Sequence, residues 1–577
     1  HTHTDIGYTR PQTEILPEHL RFIDYALDFC DATDEVDDDA RFRWTCEASW
    51  PVREYLQSRP REQLDRLRRR VEEGSIELTG MMFNLSELPD EAALLALLEP
   101  IQRLDEAGLP VRLAMQNDVN GLAWSLADAL PSVGVDAFVM GQHAHRALVC
   151  FERPTAFWWE SPSGTRMLGY RGDHYMTANE WGLHGTDDEA FADGLFHHLA
   201  QLERQAYPYD RAAVQYGGYL TDNAPPSLRG PEMIRRWNEE WAWPRLRSAT
   251  ASEFLDWVRE AHADDLPVHR AAWPDWWTDG FGSAARETAA ARRTHVDLLA
   301  VQALAAMGVG RGLGRPPAWT ARVQSAYDAL LFYDEHTLGA AESISDPRCA
   351  NSMVQWAEKA AYVWDAVKQT RMLLEAILGW LAPSLPSSTA PRIVVLNPVG
   401  WSRDGVVEVY VDHAILSPDR PFHLLDPEGR SVPAQALRRR VDGTTWLLHV
   451  PDVPPLGHVA LRMEGSTEAR PPEGGASPTR LENAWYALEV DEAAGRVASL
   501  VDKDLGIELV DKDADWPLFS LIYETLGDRH QLERKTLTSY TREGLRDVQV
   551  VPGPSGAIFQ SLVVTGTASG GTPPGGV

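Results

Sequence analysis

The sequence predicts a multidomain protein of the class α/β + α + β. Three observations support this prediction. Strand-like and helix-like segments alternate over residues 1–282, long Ala-rich helical segments fill residues 283–381, and short β-like runs occupy residues 392–577. Repeated strand–helix units imply a parallel sheet, either open or closed into a barrel. Residues 382–391 are rich in Pro and Ser, which predicts a linker before the β-rich region.

The first region alternates between two hydrophobic periodicities. Apolar residues recur at helical spacing in some segments and form short strand-like runs in others. The predicted helices are 16–31, 52–73, 91–107 and 121–130. The predicted strands are 40–45, 75–79, 111–115, 135–140, 157–160 and 213–216. Active residues are expected at the carboxyl ends of these strands, whether the sheet is open or closed.

The other two regions have simpler patterns. The helical segments 285–308, 318–334 and 352–380 have the spacing of an antiparallel bundle. After the linker, short apolar or alternating runs separated by turn residues predict the strands of a β-sandwich region. These runs are 393–396, 406–411, 446–450, 485–490 and 558–565.

Composition excludes several classes of partner. The formal charge of −30, from 54 Lys+Arg against 84 Asp+Glu, argues against nucleic acid and favours a neutral or cationic substrate. No apolar run approaches the roughly 18 residues of a transmembrane helix, so no membrane partner is expected. Four cysteines without CxxC spacing indicate ordinary thiols, and a cytoplasmic location is favoured. They are Cys30, Cys46, Cys150 and Cys349.

The first nine residues contain a candidate metal site. In an extended segment His1, His3 and Asp5 form one stripe, and Gly7 allows a sharp turn after it. Imidazole nitrogen and carboxylate oxygen together suit a zinc-like ion. The alternatives are a His-rich tail with incidental metal affinity and a free N-terminal amine that chelates copper.

Two acidic residues follow strand-like runs. Asp118 comes after 111–115 and before a predicted helix, where it is either a catalytic group or a helix N-cap. Asp222 follows 213–216 in a Gly- and Pro-rich loop, where it is either a site residue or part of an Asx turn. Asp173 and His174 form another polar cluster at a strand end.

Two more histidine positions leave alternatives open. His143 and His145 follow the strand 135–140 and either contact a ligand or are solvated. In the bundle region, His336 is flanked by acidic residues where a helix is predicted to end. His336 is either a surface residue or a metal ligand contributed by the helical region.

The ends of the sequence also carry an expectation. No Met and no apolar strand precede His1, although a metal motif at a strand's carboxyl end needs that strand behind it. The first domain is therefore expected to lack its N-terminal strand. The β-rich region is expected to be truncated at its C-terminus, and a signal peptide is not excluded.

Taken together, these residues resemble glycoside hydrolase family 38, the retaining zinc-dependent α-mannosidases, over essentially the whole chain. The motifs that carry the resemblance are His3-Thr4-Asp5-Ile6-Gly7, Asp118 in its loop, Phe157-Trp158-Trp159-Glu160, Asp334-Glu335-His336-Thr337-Leu338-Gly339 and, in the β-rich region, Leu396-Asn397-Pro398. Tyr8, where many members carry Trp, and the Asp-Glu-His-Thr order indicate a divergent bacterial-type member.

The resemblance implies a fold and a set of site residues. The fold is a distorted (β/α)7-type barrel over 1–282, a three-helix bundle over 283–381 and a β-sandwich region after the linker. One zinc per chain is expected on His3, Asp5, Asp118 and His336. Asp118 is also the nucleophile, and Asp222 is the candidate acid/base. Further sugar or outer contacts are predicted at His1, Trp124, Asp173 and His174.

Three functions therefore remain, all compatible with the same fold. The first is a retaining α-mannosidase that acts on an oligosaccharide or glycoside. The second is a metal-dependent carbohydrate deacetylase, and the third is a non-catalytic carbohydrate-binding protein. The sequence leaves the linkage, the aglycone and the oligomeric state open, a homo-oligomer included.

Overall fold

The computed structural model describes residues 1–143, 151–273, 277–417, 419–466, 477–528, 530–534 and 536–568. The chain divides into two compact units. One unit is His1–Gln302 with Arg315–Leu378, and the other is Ala303–Gly314 with Gly379–Val577. The architecture is mixed α/β with several sheets, as the sequence predicts. The domain boundaries at residues 282, 381 and 391 stay a prediction.

The first unit contains short strands between helices. Its strands are β1 Trp44–Cys46, β2 Ile76–Leu78, β3 Leu113–Asn117, β4 Ala137–Gln142, β5 Thr155–Glu160, β6 Arg166–His174 and β7 Val268–His269. The helices between and around them are α1 Gln12–Ala32, α2 Ser49–Ser58, α3 Arg61–Glu72, α4 Glu91–Leu97, α5 Glu99–Glu106, α6 Leu126–Ser132, α7 Thr177–Glu180, α8 Asp188–Arg204, α9 Arg229–Glu240 and α10 Ala251–His262. Three further helices follow, α11 Ala285–Gly310, α12 Trp319–Asp334 and α13 Ala350–Leu381.

The strands of the first unit form a mostly parallel sheet. The five-stranded sheet has the order β3-β4-β6-β5-β7, with only the β5/β6 pair antiparallel. β1 pairs with β2 in parallel, and a parallel bridge joins Thr79 to Leu113 of β3. The carboxyl ends of β1, β2, β3, β4 and β6 therefore lie at one edge. Closure into a seven-stranded barrel stays a prediction.

The sheet is anchored by an apolar cluster on one face. Leu113, Val139 and Leu168 come from three neighbouring parallel strands and pack with Leu255 and Val258 of α10. Each such side chain stabilises the fold by about 1.5–3 kcal/mol when fully buried. This packing holds the strands in register, and with them the loops at their carboxyl ends.

Two predicted helices are each split in the structure. The predicted helix 52–73 is wrong as a single element, because α2 ends at Ser58 and α3 starts at Arg61. Pro60 explains this break, since proline has no N–H and disfavours a helical conformation at the residue before it. The predicted helix 91–107 is likewise divided into α4 and α5, with Pro100 in the first turn of α5.

The predicted strand 213–216 does not form in the structure. Its backbone groups have other partners, because the Gln215 carbonyl accepts the N–H of Ala178 at 3.1 Å. The Gln215 side chain bonds to that of Asn117 through two contacts of 2.9 Å. This segment is therefore held against the sheet by side chains and a helix terminus, which periodicity alone does not reveal.

The three long helices contact one another through residues that belong to the first unit. Phe332 of α12 stacks on Tyr362 of α13 with ring centroids 4.8 Å apart. His295 of α11 lies 2.9 Å from the carboxylate of Asp334 at the end of α12. The helices are confirmed as elements within a few residues, while their arrangement as a three-helix bundle stays a prediction.

The second unit is rich in β-structure. Its strands are β8 Arg392–Leu396, β9 Arg403–Asp412, β10 Phe422–Leu425, β11 Ser431–Val432, β12 Ala434–Arg439, β13 Gly443–Val453, β14 His458–Gly465, β15 Arg480–Glu482, β16 Tyr486–Asp491, β17 Arg496–Asp502, β18 Ile507–Glu508, β19 Tyr523–Leu526, β20 Tyr540–Glu543, β21 Leu545–Ser555 and β22 Gln560–Ala568. A short helix, α14 His530–Glu533, lies between β19 and β20.

Two of its sheets share one core. The sheet β11-β10-β14-β8 and the sheet β12-β13-β9 contribute Val395, Leu424, Trp446, Leu448 and Leu461 to a single apolar cluster. Side chains from two sheet faces that meet in one core are the mark of a sandwich. The sheet β15-β16-β17-β18 and the hairpins β19/β20 and β21/β22 follow.

Two predictions from composition can be compared with the structure. Among the helices that the structure describes, none combines the length and apolar character needed to cross a membrane. Cys30, Cys46 and Cys349 are free thiols, and Cys150 lies outside the described residues.

Candidate active site

The N-terminal segment that carries the first predicted ligands is buried and extended. His3 and Asp5 are 2% and 1% exposed, so the segment is not a solvated tail. The Asp5 N–H donates to Asn223 Oδ1 at 3.1 Å, and the Asn223 N–H donates to the His3 carbonyl at 3.1 Å. The loop that contains Asn223 therefore fixes the extended segment from one side.

Asp118 lies just beyond β3 in the left-handed backbone region, with φ of 70°. Its N–H donates to the carbonyl of Gly141 in β4 at 3.1 Å. The N-cap alternative is wrong, because the next helix, α6, starts only at Leu126 and its N-cap residue is Ser125. A non-glycine residue held at positive φ is strained, and such strain concentrates at functional sites.

His336 reaches the same edge from the helical region. It follows α12, and its N–H donates to the carbonyl of Asn84 at 2.9 Å. An antiparallel bridge between Leu85 and Glu335 supports the same approach. The indole N–H of Trp277 donates to the His336 carbonyl at 3.0 Å. These contacts hold the end of α12 beside the loop that follows β2.

The four predicted metal ligands converge in one cluster. One ligand atom from each of His3, Asp5, Asp118 and His336 lies within 4.8 Å of all the others. His336 Nε2 is 3.1 Å from Asp5 Oδ1 and 3.2 Å from Asp118 Oδ2. His3 Nε2 is 3.3 Å from Asp5 Oδ1. Three chain segments that are far apart in sequence therefore place two imidazoles and two carboxylates around one point.

Both histidines of the cluster are backed by a buried carboxylate. His3 Nδ1 lies 2.9 Å from Glu47 Oε1, and His336 Nδ1 lies 2.8 Å from Glu335 Oε1. A carboxylate at Nδ1 keeps the proton there and leaves the Nε2 lone pair for a metal. In both residues Nε2 is the nitrogen that faces the cluster.

The donor set fits a zinc-like ion. His3 Nε2 and Asp5 Oδ1 are buried and lack a well-formed hydrogen bond, although such groups are costly to leave unsatisfied. Two imidazole nitrogens and two carboxylate oxygens are ligands that zinc accepts. A bound cation would satisfy these atoms and offset the two buried carboxylate charges.

The electrostatics of the cluster favour the ionised form of Asp118. Burial opposes the charged form of Asp118, but the hydrogen bond from His336 and the nearby His143 and His3 hold its pKa below the usual range. Burial likewise opposes protonation of His336, yet Glu335, Asp118 and Asp5 raise its pKa well above the ordinary value. Asp118 is thus an anion near neutral pH, the form needed in a ligand or a nucleophile.

A cavity of about 330 Å³ opens beside the cluster. Asp5, Asp118 and His336 lie in its wall, together with the candidate acid/base Asp222. The remaining lining residues are Tyr8, His143, His174, Tyr175, Met176, Thr221, Trp277, Gly280, Thr337 and Leu338. The structure therefore places the candidate nucleophile and the candidate acid/base in one cavity.

Asp222 has a different environment from Asp118. Burial and then the charge of Asp5 raise the pKa of Asp222 to about 6. The Tyr175 hydroxyl donates to Asp222 Oδ1 at 3.1 Å, which favours the charged form and limits this rise. Two carboxyl groups in one cavity therefore have pKa values shifted in opposite directions, as an acid and a nucleophile require.

The other predicted contacts are divided. His174 lines the cavity. His1 is not among the lining residues, and its Nδ1 lies 2.9 Å from Glu47 Oε2. Of the described residues around the cavity, neither Trp124 nor Asp173 lines it. Trp124 donates to the Glu160 carbonyl at 2.8 Å, and Asp173 lies 3.6 Å from His198 Nε2.

The two histidines after β4 also differ. His143 is buried, lines the cavity and has Nε2 3.3 Å from Asp118 Oδ1. The solvated alternative is therefore wrong for His143. His145 lies outside the described residues.

Several residues of the site were not predicted from the sequence. Glu47 follows β1, and Asn84 and Asn117 lie after or at the end of the next two strands. Their position at strand ends is a signal that could have identified them. Lys359, whose ammonium group lies 2.9 Å from Glu335, sits within the long helix α13, where the local sequence offers no such signal.

Comparisons with known proteins identify the family of the N-terminal part of the chain and neighbours of its fold. The family model described as the glycosyl hydrolases family 38 N-terminal domain matches residues 1–272. The fold and this match define the N-terminal part of the chain as a glycoside hydrolase domain. That domain belongs to glycosyl hydrolases family 38, as the motifs predict. A comparison with curated protein sequences finds no match.

Two solved structures resemble the whole chain. An alpha-mannosidase from Enterococcus faecalis V583 has a TM-score of 0.68 and 16% identity, and the match covers 98% of this chain and 66% of that one. A protein in glycosyl hydrolase family 38 from Enterococcus faecalis has a TM-score of 0.62 and 16% identity, with 96% and 64% covered. The present chain thus spans less than two thirds of the length of either neighbour, and at this identity the likeness concerns the fold.

Proposed function

We propose that this protein is a zinc-dependent glycoside hydrolase that cleaves α-mannosidic bonds with retention of configuration. One observation carries the proposal: four buried ligand atoms converge within 4.8 Å at the wall of a cavity that also contains Asp222. The family of the N-terminal domain supports hydrolysis of a glycoside, and the alpha-mannosidase among the structural neighbours supports mannose as the sugar.

His3, Asp5, Asp118 and His336 would hold one zinc ion per chain. Bound there, the ion would act as a Lewis acid toward sugar hydroxyl groups and stabilise charge in the transition state. The protein contributes the fixed geometry. Glu47 and Glu335 orient the two imidazoles, and the strained backbone at Asp118 directs its carboxylate into the cavity.

Asp118 is the proposed nucleophile. Its carboxylate would attack the anomeric carbon and form a glycosyl ester while the glycosidic C–O bond breaks. His336 and His143 contact its two oxygens, Oδ2 at 3.2 Å and Oδ1 at 3.3 Å. The contact from His143 orients the carboxylate and favours its charged form, as a cation bound between His336 and Oδ2 would.

Asp222 is the proposed acid/base. In the first step its carboxylic acid gives its proton to the leaving oxygen, and in the second its carboxylate takes a proton from the water that hydrolyses the ester. A pKa raised to about 6 gives Asp222 a larger protonated fraction near neutral pH than an ordinary carboxyl group has. Each catalytic cycle thus returns both carboxyl groups to their starting states.

The cavity suits a small saccharide. Its volume of about 330 Å³ lies at the lower end of the range for small-molecule sites. Tyr175 and Trp277 offer aromatic surfaces, and Thr221 and His174 add polar groups. Aromatic faces pack on sugar rings while polar side chains bond to the hydroxyl groups.

The first experiment measures the zinc content of the protein and its hydrolysis of an aryl α-mannoside. Activity should disappear on chelation and return with zinc, and the first-formed sugar should be the α anomer. Release of acetate from an acetylated sugar without glycoside cleavage would instead support the deacetylase alternative. Glycan binding that is indifferent to chelation would support the non-catalytic one.

The Asp118→Ala variant tests the nucleophile. We expect a loss in kcat of roughly 10⁴-fold, because a group that acts in the transition state is removed. The unfolding transition should remain cooperative. Asp105→Asn, a change at an exposed carboxylate of α5, serves as the control and should retain wild-type activity. Substantial activity in Asp118→Ala would refute this assignment.

A further inference from the structure

Glu47 is the acidic residue immediately after β1, and it is 1% exposed. Nothing in its local sequence distinguishes it from a structural carboxylate. The partners of Glu47 do distinguish it from a structural carboxylate, because both of its oxygens face donors from separate parts of the chain. We propose that Glu47 is a positioning residue that fixes His3 for metal binding and holds His1 beside it. This inference rests on the proposed function.

One oxygen of Glu47 contacts the ligand segment directly. Oε1 lies 2.9 Å from His3 Nδ1 and accepts the N–H of Thr4 at 3.0 Å. It also accepts the side-chain amide of Asn84 at 2.6 Å. Three donors therefore converge on this oxygen, and one of them is the imidazole of a proposed ligand.

The other oxygen continues the network. Oε2 lies 2.9 Å from His1 Nδ1 and accepts the side-chain amide of Asn117 at 2.5 Å. His1 Nε2 faces the carbonyl of Tyr175 at 2.9 Å. Both nitrogens of His1 are engaged by these two contacts, and His1 is not among the residues whose ligand atoms converge on the metal cluster. Its role is to hold Glu47 in place.

The chemistry of these five contacts requires a carboxylate. All five partners are donors or, in the imidazoles, become donors with the proton on Nδ1, and only an ionised carboxylate accepts from all of them. Glutamine would bring an N–H₂ group against at least one donor. A purely structural link between strand ends could use an amide, since Asn84 and Asn117 can pair with an amide oxygen.

The ionisable partners of Glu47 among the described residues are the imidazoles of His1 and His3. In the part of the chain that the structure describes, its contacts are imidazoles, amides and one backbone N–H, with no Lys or Arg. A buried carboxylate at Nδ1 makes the His3 imidazole more basic, and with it the ligand atom Nε2. That makes His3 a better ligand and restricts its ring to one orientation.

A neighbouring carboxylate provides a matched control. Glu77 lies opposite Thr45 in the β1/β2 pair and is also enclosed by donors. It accepts the backbone N–H groups of Ala251 and Ser252 at the start of α10 and the hydroxyl of Thr45, at 2.9–3.1 Å. Glu77 is partly exposed where Glu47 is buried, and its described partners are backbone N–H groups and a hydroxyl, none of them a proposed ligand.

The test compares Glu47→Gln with Glu77→Gln in the full-length protein. Zinc affinity is measured by competition with a chromophoric chelator, and the cobalt-substituted protein is followed by its visible absorption spectrum. We expect Glu47→Gln to bind zinc about 10–100-fold more weakly and to change the cobalt spectrum. Glu77→Gln should keep both at wild-type values, whatever its stability.

If Glu47→Gln does not fold, Glu47→Asp tests the positioning role of Glu47 instead. It keeps the charge but withdraws the carboxylate by one methylene, so it should also weaken zinc binding and alter the spectrum. Wild-type affinity and spectrum in either folded variant would overturn the role of Glu47 while leaving the proposed function intact. A wild-type protein that binds no zinc would overturn the proposed function itself, and this inference with it.

Discussion

The two histidines of the metal cluster are held from opposite sides by different means. On the His336 side, Glu335 is paired with Lys359, whose ammonium group also donates to the carbonyls of Phe332 and Glu335, all at 2.9 Å. On the His3 side, Glu47 is surrounded by amides, a backbone N–H and imidazoles. One side is an ion pair anchored in helices, and the other is a hydrogen-bond network at strand ends.

This difference indicates that the His336 side and the His3 side of the cluster have different roles. Burial opposes ionisation of Glu335, but Lys359 and His336 lower its pKa to about 2, so its charge is compensated without a metal. Glu47 has no Lys or Arg partner among the described residues; burial opposes its ionisation, but the charges and hydrogen bonds of His3 and His1 hold its pKa well below the usual range. We therefore expect changes on the His336 side to act mainly on stability, and changes on the His3 side to act mainly on metal binding and pH response.

The largest effect is expected from Lys359→Met. This change leaves Glu335 buried without its cation and should lower the free energy of unfolding by about 3–5 kcal/mol. Urea unfolding of the zinc-free protein measures it. Lys368→Met removes an exposed pair with Asp365 on the same helix and should cost less than about 1 kcal/mol.

A double substitution sharpens this prediction. Lys359→Met combined with Glu335→Gln should recover part of the lost stability, because no uncompensated charge then remains buried. Equal losses in the single and the double variant would show that Lys359 acts through packing and not through its charge.

The second prediction concerns pH on the same side. Burial disfavours the protonated form of His295, but Asp334 and Asp90 prevail and raise its pKa to about 9. A raised pKa in the folded state contributes stability that is complete below the unfolded value of about 6.5 and is lost as pH rises through about 9. The loss is at most about 3.5 kcal/mol, from roughly 1.4 kcal/mol per pKa unit.

Urea midpoints of the zinc-free protein between pH 6 and pH 10 measure this effect. His295→Gln keeps a donor toward Asp334 but cannot titrate. The urea midpoint of this variant should therefore change less between pH 6 and pH 10 than that of the wild type. A wild-type midpoint that does not fall between pH 7 and pH 10 would contradict the prediction.

The smallest effect is expected from Tyr175→Phe, on the His3 side. The Tyr175 hydroxyl stabilises the charged form of Asp222, so its removal should raise the pKa of Asp222 further. The protonated form is the proposed acid, and the alkaline limb of the pH–rate profile should therefore move to higher pH. We expect kcat to fall by about 10-fold, the equivalent of one lost hydrogen bond to a charged group.

The pH profile distinguishes this role from a loss of packing. The Tyr175 ring lies 4.2 Å from that of His3, and phenylalanine preserves this contact. Zinc affinity should therefore stay near the wild-type value. If the alkaline limb of the pH–rate profile is unchanged in Tyr175→Phe, Tyr175 does not influence the pKa of the acid/base.

Local patterns predicted most elements of the fold but not all of their limits. The helices α11 to α13 and the strands β3 and β4 lie within a few residues of their predicted positions, because their periodicity reflects burial on one face. The break at Pro60 and the absence of a strand at 213–216 depend on competing local and tertiary contacts. Periodicity does not register such contacts.

The residues of the candidate site likewise fall into those that the sequence could identify and those that it could not. His3, Asp5 and Asp118 could be selected from the sequence because their residue types and their places near strand ends suit a metal. The partners of Glu47 and of Lys359, and the choice between the two alternatives for His143, could not be decided in this way. Each of these residues acts through a partner that lies far away in the chain.

The sequence by itself therefore determined the residue types of the proposed ligands, the alternation of strands and helices, and the excess of acidic charge. Only the tertiary structure decided which carboxylate lies behind each imidazole, which histidine contacts Asp118, and which acid shares its cavity. The reason is physical. Periodicity and turn chemistry act over a few residues, whereas the contact from Glu47 to His3 spans 44 positions and that from His336 to Asp118 spans 218.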